Sequence, residues 1–148
     1  MNDFIKEHIR AVLTELELRL IKTISSLNDE DLNWRPNNKS NSIANLVIHI
    51  SGHIHQRIEV GIMQEKDWRN REAEFSRDLF VRKESLINTI HTSFSRFMNV
   101  AEALTEEEML KTQVLSGNRT QTNEEIMLRC LEHYSEHLGQ IIYISKMR

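Results

Sequence analysis

Cys130-Leu-Glu-His133-Tyr-Ser-Glu-His137-Leu-Gly-Gln140-Ile-Ile-Tyr-Ile144 reads as helix. At roughly 100° per residue, Ile126, His133, Gln140 and Ile144 fall on one narrow line, with Cys130, His137 and Ile141 beside it. A second side carries Met127, Leu131, Tyr134, Leu138 and Ile142, which leaves a polar strip only at Glu125, Arg129, Glu132 and Glu136. A helix covered so widely packs against more than one neighbour, either centrally within a helical bundle or partly in a dimer interface. His133 and His137 stand four positions apart, so both rings project inward with the apolar stripe, one turn from each other.

Upstream, Thr122-Asn-Glu-Glu125 is a capping box that opens this helix, and Thr105-Glu-Glu-Glu108 is another that opens a brief helical turn. Between them, Val114 to Gln121 contains Ser-Gly-Asn-Arg and predicts a tight turn or small hairpin. Three further long helices follow from apolar spacing. The first runs over Phe4, Ile5, Ile9, Val12, Leu13, Leu16, Leu20, Ile24 and Leu27, with Asp3 as its N-cap. The second runs from about Ser42 to Met63, capped by Ser40 or Asn41, and its arc is Ile43, Leu46, Val47, Ile50, Ile54 and Ile58. The third runs from Leu79 or Glu84 to Ala103, with Leu86, Ile90, Phe94, Phe97, Val100 and Ala101 inward. Asn28-Asp-Glu-Asp31 starts a short helix ending near Trp34, and Pro36 with Asn37 to Asn41 forms a loop. The charged segment Gln64 to Asp78, with Trp68, Arg71 and Phe75, reads as a long loop. The expected fold is all-α: a four-helix bundle in one domain over residues 1–148, with a long connection between helices two and three.

Composition narrows the class. One Pro and four Gly among 148 residues leave few helix breakers. A net charge of -3 argues against a nucleic-acid partner, which would need a clustered basic face. No apolar run approaches the ~18 residues of a membrane span. Met-Asn-Asp-Phe-Ile-Lys-Glu lacks the apolar core of a signal peptide, so the cytoplasm is the expected compartment. The single Cys130 excludes an intramolecular disulfide.

Two inward imidazoles four positions apart are half of a metal site, and the third ligand is expected from another helix. Helix two offers His49 and His53. Periodicity alone prefers His53, nearer the centre of the apolar arc, over His49 at its edge. His55 points away from both and is expected in solvent, as are His8 and His91. Cys130, one turn before His133, is either a ligand or a small buried hydrophobe, and the second reading is favoured. Tyr134 occupies the place of the glutamate in His-Glu-x-x-His, which disfavours a thermolysin-like protease.

Three stretches, Leu27-Asn-Asp-Glu-Asp-Leu-Asn-Trp34-Arg-Pro36, Asn41-Ser-Ile-Ala-Asn-Leu-Val-Ile-His49-Ile-Ser-Gly52 and Glu132-His133-Tyr-Ser-Glu-His137-Leu-Gly-Gln140-Ile, carry a resemblance. Through them, in the same helix order over nearly the whole chain, the sequence resembles the DinB/YfiT-like family of four-helix metalloproteins. It is most similar to a branch of small bacterial proteins without known function, which Arg71-Glu-Ala-Glu74-Phe75 also resembles. The resemblance implies a divalent ion, often zinc or nickel, held by one histidine of the second helix and two of the last. Carried over by motif, the ligands fall on His49, His133 and His137. His53 then departs from the family pattern, as a supporting group, a catalytic base or a fourth ligand.

Three neutral imidazoles leave coordination positions open and the charge of the ion uncompensated, as in catalytic sites. The resemblance implies transfer of a metal-activated low-molecular-weight thiol, with metal-dependent hydrolysis or non-catalytic metal binding as alternatives. Among supporting residues, Gln140 and Asn45 are placed to hydrogen-bond a ligand, Arg57 to meet an anionic group, and Glu132 or Glu136 to orient an imidazole. The connection with Trp68, Arg71 and Phe75 is a lid, a packing strap or a dimer contact. A homodimer is expected.

Overall fold

The computed structural model describes residues 2–148. α1 (Asn2–Ser25) starts two residues earlier than expected, so Asp3 lies in its first turn instead of capping it. There its negative charge meets the positive end of the helix dipole. α2 (Asp29–Leu32) is capped by Asn28, whose side chain accepts from the Asp31 amide. α3 (Ile43–Ile54) is capped by Ser42, not Ser40 or Asn41, in a capping box that Asn45 closes from the third helical position. α4 (Arg71–Glu74) is a single turn inside the connection expected to be loop, with Asn70 as its cap. α5 (Lys83–Ala103) follows, then α6 (Glu106–Leu110), opened by the Thr105 capping box. β1 (Thr112–Val114) and β2 (Thr120–Thr122) form the small antiparallel hairpin, whose turn has Gly117 and Asn118 at positive φ. α7 (Asn123–Ser145) is opened by the Thr122 capping box.

The architecture is an all-α four-helix bundle. α1 and α3 each pack against both α5 and α7, so the order around the bundle is α1, α5, α3, α7. The centre is filled by Phe94, Phe97 and Tyr134, all fully buried, with Ile9, Leu13, Leu20, Ile50, Ile54 and Ile141 around them. Each such side chain contributes about 1.5–3 kcal/mol relative to exposure. Among the described residues, no helix is long and apolar enough to cross a membrane.

Helix two is not one regular helix to Met63. After Ile54 the backbone widens into a π-helical turn over His55–Val60. Gly61 ends it where a Cβ would stand 2.6 Å from the Arg57 carbonyl oxygen. The turn changes the phase that a constant 100° per residue assumes.

His55 is a correction. It is buried, not solvated, with 1% of its surface exposed. The connection folds back over that face. Trp68 stacks on the imidazole at 3.8 Å, its amide donates to His55 Nε2 at 3.2 Å, and His55 Nδ1 meets Glu59 Oε1 at 3.1 Å. His8 and His91 are exposed, as expected, and His91 meets Glu17.

Candidate metal centre

α3 and α7 lie side by side, so His49 faces the histidine pair of the last helix. His49 Nε2 is 3.2 Å from His133 Nε2, and His133 Nε2 is 3.3 Å from His137 Nε2. One ring nitrogen from each residue lies within 4.8 Å of the other two. Two outer partners favour one tautomer. Glu74 Oε1 is 3.0 Å from His49 Nδ1, closer than Arg69 Nη2 at 3.3 Å, and can only accept, which favours the proton on Nδ1 and the lone pair on Nε2. Gln140 Oε1, 2.7 Å from His137 Nδ1, favours the same tautomer there. In that tautomer both rings aim a bare nitrogen at His133 Nε2, which has at most one proton to offer and cannot give it to both.

A single cation would resolve that conflict. Metal–nitrogen bonds of about 2.0–2.1 Å at tetrahedral angles place the nitrogens about 3.3 Å apart. The two spacings fit, and three imidazoles suit a late first-row divalent ion. Burial first, then His137 and His49, push His133 down to about 4. Burial also lowers His137, against the hydrogen bond with Gln140 that raises it. At neutral pH both rings are therefore in the unprotonated form that coordinates metal.

The connection supplies what holds His49. Arg35, from the Trp-Arg-Pro stretch, donates to the Ser40 carbonyl at 2.6 Å and to Asn45 Oδ1 and the Ser76 carbonyl at 2.8 Å each. Asn45 Nδ2 donates to the carbonyls of Glu74 and Ser76 at 2.8 and 3.0 Å. Asn45 is consumed by this clamp and by the α3 capping box, so its expected contact with a ligand does not occur. Pinned in this way, α4 turns the Glu74 carboxylate onto His49. Arg69 grips the same carboxylate from two sides, Nε to Oε2 at 2.8 Å and Nη2 to Oε1 at 2.9 Å. Burial alone would raise the Glu74 carboxyl, but the hydrogen bonds from Arg69 and His49 outweigh it and hold it below the usual range. Gly52 makes the approach possible. A Cβ there would overlap Glu74 Oε2 and stand 2.8 Å from its Cδ. Phe75 then covers the His49 ring, centroid to centroid at 4.8 Å.

The sequence profile of the family described as "Protein of unknown function (DUF1572)" matches residues 2–148. The chain belongs to the DUF1572 family. Its fold is similar to that of a conserved protein from Enterococcus faecalis, with a TM-score of 0.78 at 14% identity over 95% of this chain and 94% of that one. It is also similar to a DinB-like protein from Bacillus cereus, with a TM-score of 0.74 at 14% identity over 95% and 91% of the two chains. No curated protein matches. At that identity the likeness is one of fold alone, and it is the mostly helical bundle of a DinB-like protein.

The other candidate residues of this DUF1572 member lie around the cluster or away from it. His53 is outside the three-nitrogen group. Its ring centroid is 4.5 Å from that of His133, but its Nδ1 is taken by the Tyr134 hydroxyl at 2.8 Å. Burial, then His133 and Arg57, push it down to about 2. Cys130 is buried behind Tyr134, and burial pushes its thiol up to about 12, the behaviour of a small core residue. Gln140 is exposed and engages His137 directly. Glu132 and Glu136 are both exposed, and Glu132 pairs with Arg129 instead of an imidazole. The orienting role falls to Glu74, which sequence reasoning missed together with Arg69. The available signal was Gly52, a glycine inside a helix, where it costs about 1 kcal/mol against alanine unless something must come close.

His133 and His53 also line a cleft of about 260 Å³, whose walls include Arg57, Arg119, Gln121 and Arg129. A larger hollow of about 640 Å³, bounded by Asn37, Asn41, Gln140 and Tyr143, is lined by none of the three clustered histidines.

Proposed function

We propose that this protein is a divalent-metal-dependent enzyme in which His49, His133 and His137 hold the ion. The observation that carries the reading is the three-nitrogen cluster, with gaps of 3.2 and 3.3 Å at His133 Nε2 and an outer acceptor on Nδ1 of both His49 and His137. Three protein ligands leave a position for a substrate, as catalytic sites do and closed structural sites do not. Zinc and nickel both suit the donor set. The ion would supply Lewis acidity, easing loss of a proton from a coordinated thiol or water near neutral pH.

The reaction we assign is S-transfer from a low-molecular-weight thiol. One observation favours a thiol over water. Among the described residues, the carboxylate at the cluster, Glu74, is engaged by both Arg69 and His49, so it is not free to act as a general base. A thiol, with an ordinary pKa near ~8.5, needs no such base once that value is lowered. In the transfer the thiol gives its proton to solvent, its sulfur bonds the electrophilic carbon, and the leaving group departs with the electrons of the broken bond. Glu74 and Gln140 hold the imidazoles through both states, and Phe75 keeps water from the His49 side. His53 has its Nε2 left for a ligand in the cleft.

The test is metal analysis of untagged protein beside His133→Ala, followed by turnover of a chromogenic electrophile with small thiols. About one ion per chain, lost in the variant together with thiol-dependent turnover, is the expected result. No ion after reconstitution with zinc or nickel overturns the proposal. Metal with ester hydrolysis but no thiol dependence assigns a hydrolase, and metal without turnover assigns a binding protein.

A further inference from the structure

The cleft beside His133 and His53 has an unusual charge. Three of its walls are Arg57, Arg119 and Arg129, and neither Asp nor Glu lines it, in a chain whose net charge is -3. The arginines come from three separate elements: the π-helical turn after α3, the hairpin just before β2, and α7. Cations brought together from distant parts of a chain repel one another, and a concave low-dielectric wall intensifies their field. Arg57 is half-buried, and its guanidinium has no hydrogen-bond or ion-pair partner among the described residues. The other two are lightly held. Arg119 Nε reaches only the Ser116 carbonyl at 3.4 Å, and Arg129 meets Glu132 at 3.3 Å with side chains 70% and 69% exposed. A solvent-exposed pair of that kind yields readily to a better acceptor.

We propose that this cleft binds a small dianion, two carboxylates or a phosphate, and that it receives the anionic end of the substrate. The second half rests on the metal-dependent function proposed above; the anion site itself does not. Arg57 supplies a preformed fork of N–H donors matched to a carboxylate or phosphate edge. Gln121 adds an amide, while Leu115 and Ile126 give the cleft an apolar wall. At about 260 Å³ the space lies below the ~300–1,000 Å³ of drug-sized sites, which suits a short polyanion. Because His133 belongs to both the cleft and the three-nitrogen cluster, an anion seated on the arginines would carry its reactive group to the cluster.

The experiment is calorimetric titration of the full chain, zinc-loaded and chelator-stripped, with malonate, with inorganic phosphate and with neutral malonamide. Binding of at least one dianion in both forms, without binding of malonamide, is the expected result, and the stronger dianion names the class. Arg57→Gln should weaken binding tenfold or more. The Arg119→Gln/Arg129→Gln double variant alters only exposed side chains, keeps the helical circular dichroism and should weaken binding similarly, while Arg19→Gln should change nothing. Failure of the wild type to bind either dianion overturns the proposal, as does affinity that survives both arginine changes. Binding that needs zinc and ignores the arginines puts the anion on the ion, which overturns the cleft and leaves the metal reading standing. Arginine-dependent binding in a chain that takes up no zinc supports the cleft and removes the metal reading.

Discussion

Gly52→Ala should weaken metal binding without touching a ligand. The added Cβ would overlap Glu74 Oε2 and lie 2.8 Å from Cδ and 3.0 Å from Arg69 Nε. The carboxylate cannot swing away freely, because Arg69 holds both oxygens and the α4 backbone is clamped by Asn45. It must retreat from His49, and the imidazole loses the acceptor on its Nδ1. Loss of such a partner lowers metal affinity about 10–100-fold, or roughly 1.4–2.8 kcal/mol. Two effects on stability compete. Alanine favours the helix by about 1 kcal/mol over glycine. Breaking a buried ion pair by removing one partner costs about 3–5 kcal/mol, and displacement of an intact carboxylate costs part of that. The steric effect wins, leaving a metal-free protein that melts lower by on the order of 5 °C for a chain of this size. Zinc competition against a chromophoric chelator reads the first quantity and thermal unfolding by circular dichroism the second. A Gly52→Ala protein that binds zinc like wild type and melts higher would refute the role given to Glu74.

Zinc at a hundredfold excess over its dissociation constant should add about 2.7 kcal/mol to folding stability, seen as a rise in Tm that disappears in His137→Ala; an equal rise in that variant removes His137 from the site. His53→Ala should keep one ion per chain by mass spectrometry while thiol turnover falls, and loss of the ion would make His53 a ligand. His55→Ala should cost roughly 2 kcal/mol in denaturant unfolding, because Glu59 and the Trp68 amide lose a buried partner, with metal per folded chain unchanged. The metal-free chain should also be sensitive to acid. The unfolded chain takes up protons near the ordinary histidine pKa of about 6.5, whereas folded His133 does so only near 4 and His137 below its ordinary value. Stability is therefore full above the unfolded value and is lost as pH falls from it toward 4. Urea midpoints that do not change between neutral pH and about pH 5 contradict those buried, neutral rings.

The long helices were legible because their apolar residues keep a 3.6-residue period, and the His133–His137 pair because α7 is regular across it. His49 was reached by motif, while periodicity pointed to His53. The reason lies in what buries His49. Its ring is covered by Phe75 and Glu74 from the connection, on the edge of α3, not by the bundle centre. The centre of an apolar arc marks the core and says nothing about an edge that a later segment will cover. The same blindness hid His55, because its cover is Trp68, in a stretch with no period. The π-helical turn added a phase error from residue 55 onward that no spacing rule anticipates. Glu74 and Arg69 were illegible for a further reason. They act through a carboxylate that closes on a residue 25 positions away, across a chain clamped by Arg35 and Asn45.

The balance of charge explains why the surroundings matter as much as the three imidazoles. Imidazoles coordinate a cation in their neutral form and offer lone pairs but no compensating charge. Glu74 is ionised, yet Arg69 returns a positive charge to the same carboxylate through two hydrogen bonds. The pair orients His49 while contributing almost no net charge to the site. Three arginines then stand in the adjoining cleft without an acidic wall residue. A divalent ion held by the three histidines would meet little compensating charge, which would favour an anionic ligand over a neutral or cationic one. Had Glu74 faced His49 without Arg69, it would have partly neutralised the ion through the imidazole and weakened its field. In the proposed site the bidentate arginine would thus separate two functions that a lone carboxylate would combine: it lets the glutamate hold the ring in place and would leave the positive potential for an anionic ligand.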